Sequence, residues 1–133
     1  MQLTRDSSVV NFIRAWEPGR VRIAERWIAG NVIVGPDQTF EGWTTIEPHL
    51  LTVEHLEPAL ALEPTIIVLG TGTEHLLPDV ELMAAVAARS VGLEIMSTPA
   101  ACRTFNVLLQ EQRRVVAALF NPTQSEPQIS ARV

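Results

Sequence analysis

From residue 65 onward, segments with strand character and segments with helix character alternate to the end of the patterned part of the chain. Thr65-Ile66-Ile67-Val68-Leu69 is a β-branched, apolar run held between Pro64 and Gly70, the pattern of a strand buried on both faces. Asp79 to Ser90 sets Val80, Met83, Val86 and Ala87 at spacings of three and four between Pro78 and Gly92, which predicts a helix. Leu93 to Met96 reads as a second strand. Pro99 to Gln112 reads as a second helix, with Thr98 as its cap and proline in its first position, and Val115 to Phe120 as a third strand. Strand, helix, strand, helix, strand joined by right-handed crossovers gives a largely parallel sheet with helices packed on it.

The N-terminal half is β-rich. Val21 and Ile23 alternate with Arg22, and after a short turn Trp27, Ile28 and Val32 to Val34 are strong β-formers, so Val21 to Val34 is expected to be a hairpin. Gly35-Pro36-Asp37 ends it, Phe40 to Trp43 adds a short strand, and Pro48 closes the region to ladder pairing. From Thr52, Val53, Leu56 and Leu60 recur at helical spacing, with Pro58 placed to divide the helix. The expected architecture is α/β in three layers: a central mixed, mostly parallel sheet with helices packed on it, plus an N-terminal β-hairpin. The composition from Asn121 onward buries almost nothing. Residues 1–120 therefore read as one α/β domain and 121–133 as a disordered C-terminal tail.

Charge excludes several functions. The net charge of -5 repels phosphate backbones, so nucleic acid is not an expected partner. All ten basic residues are arginine and tyrosine is absent, which removes Schiff-base chemistry, a P-loop lysine and a phenolic proton donor. The single cysteine, Cys102, allows no intramolecular disulfide and fits the cytoplasm. Arg5 and Asp6 interrupt what a secretory signal would need, and the longest apolar run, Ile66 to Leu69, is far short of the roughly 20 residues of a membrane span.

Two junctions carry candidate chemistry. Gly70-Thr71-Gly72-Thr73-Glu74-His75 follows a buried strand as a dinucleotide fingerprint does, with Glu94 at the distance of a ribose-binding acid. His75 replaces the third glycine and Pro78 delays the helix, so a tight strand-exit turn outweighs cofactor binding and no cofactor is expected. Ser97 to Asn106 leads a strand into a helix whose free N–H groups are suited to an anion. The candidate ligand-binding set is thus Gly70, Thr71, Gly72, Thr98, Arg103 and Asn106, in a crevice at the carboxyl ends of the strands with Arg103 as the anion contact. Cys102 is expected to be buried rather than reactive. Asn106, a poor helix former on the border of the Ala101, Phe105, Leu108 stripe, is expected to tie the Ser97–Thr98 junction or the Gly70–Thr73 turn to the helix. His49, His55 and His75 are scattered without a metal-binding spacing, and no catalytic set is present.

The ordered set of Gly70-Thr71-Gly72, Gly92 to Met96, Thr98, Ala101, Thr104-Phe105-Asn106, Leu108-Leu109, Glu111, Arg113 and Val115 resembles the domain shared by mitochondrial complex I assembly factor 3 and the animal adipogenesis-associated domain protein. The resemblance covers residues 9–122 and is strongest over 65–120. It implies a three-layer α/β fold, a bacterial stand-alone member without the mitochondrial targeting extension, no established enzymatic activity, and action by protein contact. The leading expectation is a non-catalytic assembly or protein-interaction module. The alternative is a small-molecule binder or enzyme acting on an anion or carboxylate in the crevice. The sequence leaves the partner, the ligand and self-association open.

Overall fold

The computed structural model describes residues 10–123. Its central sheet is organised around β6 (Ile66–Gly70), which pairs in parallel with β7 (Gly92–Met96) on one side and β8 (Val115–Leu119) on the other. Beyond β8 lie β4 (Val32–Val34) and β5 (Thr39–Glu41), both added antiparallel, giving the order β5-β4-β8-β6-β7. Three of the five strands are parallel, so the sheet is mixed as expected.

Strict alternation divides the core between the two faces of this sheet. On one face Val32, Val34, Val68, Val115 and Ala117 pack against Ala101, Cys102 and Phe105 of α3 (Thr98–Gln110). The same cluster takes in Val21, Ile23 and Ile28 of a separate three-stranded antiparallel sheet, β1 (Ile13–Glu17), β2 (Arg20–Ile23) and β3 (Arg26–Ala29). On the other face Ile33, Ile67, Leu69 and Val116 meet Leu82 and Val86 of α2 (Val80–Ala88), together with Leu56 and Leu60. Three layers result.

The structure corrects several local readings. The hairpin is β2–β3 alone, and it belongs to a sheet whose first strand, β1, lies outside the segment read as β. Val32–Val34 leaves that hairpin after Gly30 (φ 83) and joins the central sheet, because three consecutive residues buried on both faces suit an interior strand. The helix expected from Thr52 is a 3-10 turn, Val53–Leu56, followed by the four-residue α1 (Glu57–Leu60). Pro58 has no N–H to continue the earlier turn and sits in the first turn of α1 instead. In α2 the buried residues are Leu82 and Val86, while Val80 and Met83 face outward. The cap of α3 is Ser97, one residue before the expected Thr98.

Asn121, the first residue of the expected tail, is 3% exposed and hydrogen-bonded within the fold. Residues 124–133 of that segment lie outside the described residues. Among the described residues no helix is long and apolar enough to cross a membrane.

Candidate functional site

At the end of β6 the first turn of α3 sits directly on Gly70. A Cβ there would stand 2.8 Å from Thr98 Oγ1, 2.9 Å from Thr98 Cα and 3.1 Å from Ala101 Cβ, so only glycine permits this approach. The Thr98 hydroxyl, fully buried, donates to the Phe120 carbonyl at 2.6 Å and accepts from the Gly72 N–H at 2.8 Å. The Thr98 N–H donates to the Gly72 carbonyl at 2.7 Å, and Phe120 N–H to the Gly70 carbonyl at 2.8 Å. Thr71 closes the turn: its N–H donates to Met96 O, and its hydroxyl donates to Glu74 O at 2.6 Å and accepts from the Leu76 N–H at 3.1 Å. Gly70, Thr71, Gly72 and Thr98 thus form one network that locks β6, β8 and α3 together.

That network uses up the donors the anion reading needed. In the first turn of α3 the Thr98 N–H is taken by Gly72, Pro99 has none, and the N–H groups of Ala100 and Ala101 bond to Ser97. Arg103 is exposed on the helix and does not line the cavity described below. Asn106 faces the other way. Its Oδ1 accepts from the Ile13 N–H at 2.8 Å and its Nδ2 donates to the Ile13 carbonyl at 2.9 Å. The expectation that Asn106 binds backbone is met, but its partner is β1 and not the Ser97–Thr98 junction or the Gly70–Thr73 turn. The six candidate residues therefore separate into a structural four, two of which reach the cavity, and two that point elsewhere.

Cys102 is 5% exposed within the α3 cluster. Desolvation pushes its thiol up to about 12, an effect that the neighbouring Arg103 charge only partly opposes, so the nucleophilic thiolate is not available near neutral pH. No three His, Cys, Asp or Glu residues among the described residues are grouped so as to hold a metal. Glu94, exposed on the edge strand β7, stands opposite Val68 and does not line the cavity.

A cavity of about 470 Å³ opens beside Thr71 to Glu74, and its opposite wall is not the Thr98–Asn106 helix. That wall comes from Pro18–Gly19 and from the irregular segment 45–47 with Pro48, the first residue of a short 3-10 helix. Trp43 anchors this segment: its Nε1 donates to Leu119 O at 3.2 Å and its ring lies 5.2 Å from that of Phe120. Asn31 and Asn121, which also line the cavity, brace it. The Asn121 N–H donates to Asn31 Oδ1 at 2.6 Å, Asn31 Nδ2 donates to Thr44 O, and the Asn121 side chain binds Gly19 N–H and Glu17 O. Both asparagines escape the sequence reading because all but one of these partners lie 90 to 104 positions away along the chain and leave no local signature. Ile46, Pro48, Leu76 and Phe120 supply apolar lining, Glu47 and Glu74 are the charged lining residues, and no arginine is among them.

Comparison with known proteins places this geometry in a lineage. A Francisella tularensis protein named 13 kDa major membrane protein is 39% identical over 61 residues, 46% of this chain and 50% of that protein. The mouse NADH dehydrogenase [ubiquinone] 1 alpha subcomplex assembly factor 3 is 39% identical over 103 residues, 71% of this chain and 55% of that protein. The chain thus spans about half the length of each. Among solved structures, a Xanthomonas campestris protein determined by NMR superposes with a TM-score of 0.76 at 34% identity, covering 86% of each chain. A family model matches residues 13–120, from the first strand to the end of the last. The chain belongs to the family described as "Protein of unknown function (DUF498/DUF598)".

Proposed function

We propose that the chain is a bacterial, non-catalytic assembly or protein-interaction module, acting in the manner of the respiratory complex I assembly factors it resembles. The observation that carries this reading is the 39% identity to assembly factor 3 across 71% of the chain. Surface physics supports it: Leu77 is 68% and Val80 72% exposed, with Leu50, Leu76 and Met83 exposed beside them in the sequence segments that bound the cavity side, and exposed apolar surface of this kind is used for contact. A cytoplasmic setting goes with this reading, since Cys102 has no partner for a disulfide. Deleting the gene in cells that carry the respiratory NADH dehydrogenase, and quantifying the intact complex on native gels, tests it. Loss of intact complex or accumulation of a subcomplex is expected, with restoration by the wild-type chain; an unchanged level of complex contradicts the assembly role.

The cavity supports a second reading, a small-molecule binder. Its carboxylate lining favours a neutral or cationic ligand over the anion first expected. A thermal-shift screen of nucleotides, carboxylates and amines on wild type and Arg103→Ala separates these: equal shifts with an amine in both proteins support it, and no shift with any compound removes it.

A further inference from the structure

We propose that the face built by residues 45–54 and 71–85 docks a basic, amphipathic segment of a partner protein. The inference rests on the protein-contact reading above and names its surface and the chemistry of its partner.

The first support is charge segregation. Between Arg26 and Arg89 the chain has no lysine or arginine, but it has nine carboxylates. Glu41, Glu57 and Glu63 are matched by arginines from outside that stretch, in ion pairs with Arg26, Arg89 and Arg114. Glu47 and Glu74 line the larger cavity, and Glu54, Asp79 and Glu81 line a second depression of about 250 Å³. None of these five pairs with an arginine among the described residues; Glu47 has only His49, at 3.7 Å. The first depression takes part of its lining from 45–48 and 71–76 and the second from 51–54 and 79–85, consecutive parts of the same two stretches of chain, which the proposed face joins.

The second support is that this face is apolar as well as acidic. Leu50 belongs to one bounding segment, and Leu76, Leu77, Val80 and Met83 belong to the other. Exposed leucines among unmatched carboxylates fit a segment with an apolar stripe flanked by lysine or arginine, as in helix-in-groove recognition. A second copy of the same face would bring five carboxylates against five, and an anionic lipid surface would meet the same repulsion.

Two synthetic peptides sharing one leucine stripe, one with lysine and the other with glutamate at the remaining positions, test this by fluorescence anisotropy against the full chain. The lysine peptide is expected to bind, more weakly as salt rises. The triple variant Glu47→Gln, Glu74→Gln, Glu81→Gln and the double variant Leu77→Ser, Val80→Ser should each weaken it by about tenfold or more. Asp37→Gln with Glu111→Gln, off this face, should leave it unchanged. All these side chains are exposed, so the fold is retained, and melting curves verify that. Equal binding of the glutamate peptide, or wild-type affinity in both on-face variants, overturns the proposal. So does a wild-type dimer in sedimentation that Leu77→Ser, Val80→Ser dissociates, because the face is then covered by a second copy. In the deletion strain the two ideas separate: if the on-face variants restore the respiratory complex as well as wild type does, this face is wrong and the assembly role stands. If deletion changes nothing, the assembly role falls whatever the peptides do.

Discussion

The side-chain amide of Asn106 holds both backbone groups of Ile13, accepting from its N–H at 2.8 Å and donating to its carbonyl at 2.9 Å. Residues 93 positions apart are joined as a neighbouring strand would join them, and among the described residues β1 lies at the edge of its sheet with no further strand paired to it. Replacing Asn106 by Ala leaves both groups without this partner. The expected cost is about 1 to 3 kcal/mol, a fall of several degrees in melting temperature measured by calorimetry without any ligand. An unchanged or higher value contradicts the structural role and points to a ligand contact.

Thr98 and Gly70 make a paired prediction. Thr98→Val keeps the shape but removes the donor to Phe120 O and the acceptor for Gly72 N–H, with an expected loss of about 2 to 4 kcal/mol in denaturant unfolding. Gly70→Ala should cost at least as much, since its methyl would sit 2.9 Å from the Thr98 Cα, and backbone has to move. Hydrogen exchange at the Gly72 amide should quicken in Thr98→Val. A Gly70→Ala protein as stable as wild type would show that α3 does not rest on β6 as described.

Cys102 gives the chain an alkaline signature. Burial raises its thiol from 9.0 to about 12. A group with a raised folded value contributes fully below its unfolded value, and the contribution is lost as pH climbs toward the folded one. Stability should therefore decline between pH 9 and 12, by about 1.4 kcal/mol per unit at most. The chain has no lysine and no tyrosine, the side chains whose ordinary ranges overlap that window. Melting temperatures across the range should fall for wild type and stay level for Cys102→Ala, whose baseline is lower because a small buried group is gone. An equal decline in both proteins contradicts the assignment.

The readable part of this fold was the part encoded locally. Ile66 to Leu69 announces a buried strand because four apolar residues in a row fit nothing at a surface, and Pro78, Gly92 and Pro99 bracket the two long helices. β1 was illegible: Arg14, Trp16 and Glu17 mix charge with a half-buried ring, and the strand is held by β2 and Asn106 rather than by a clear alternation. The site was half legible for the same reason. The turn at Gly70 to Gly72 is written in its glycines, but the wall at 45–47 has no regular structure and is positioned by Trp43 on Phe120 and by the Asn31–Asn121 pair. Arg103 and Asn106 looked convergent with that turn because they share its neighbouring helix. Helical geometry turns Asn106 toward β1 and leaves Arg103 exposed, and neighbouring sequence alone does not fix where such side chains point.

The central claim is that this chain works through contact with another protein, and its state in its own cells tests that most directly. Purified under mild conditions and weighed by native mass spectrometry, the wild-type chain is expected in a stoichiometric complex with a different protein. Glu47→Gln, Glu74→Gln, Glu81→Gln should shift it to the free form. Recovery of the wild-type chain free of partners, while it turns over a metabolite, would contradict the account.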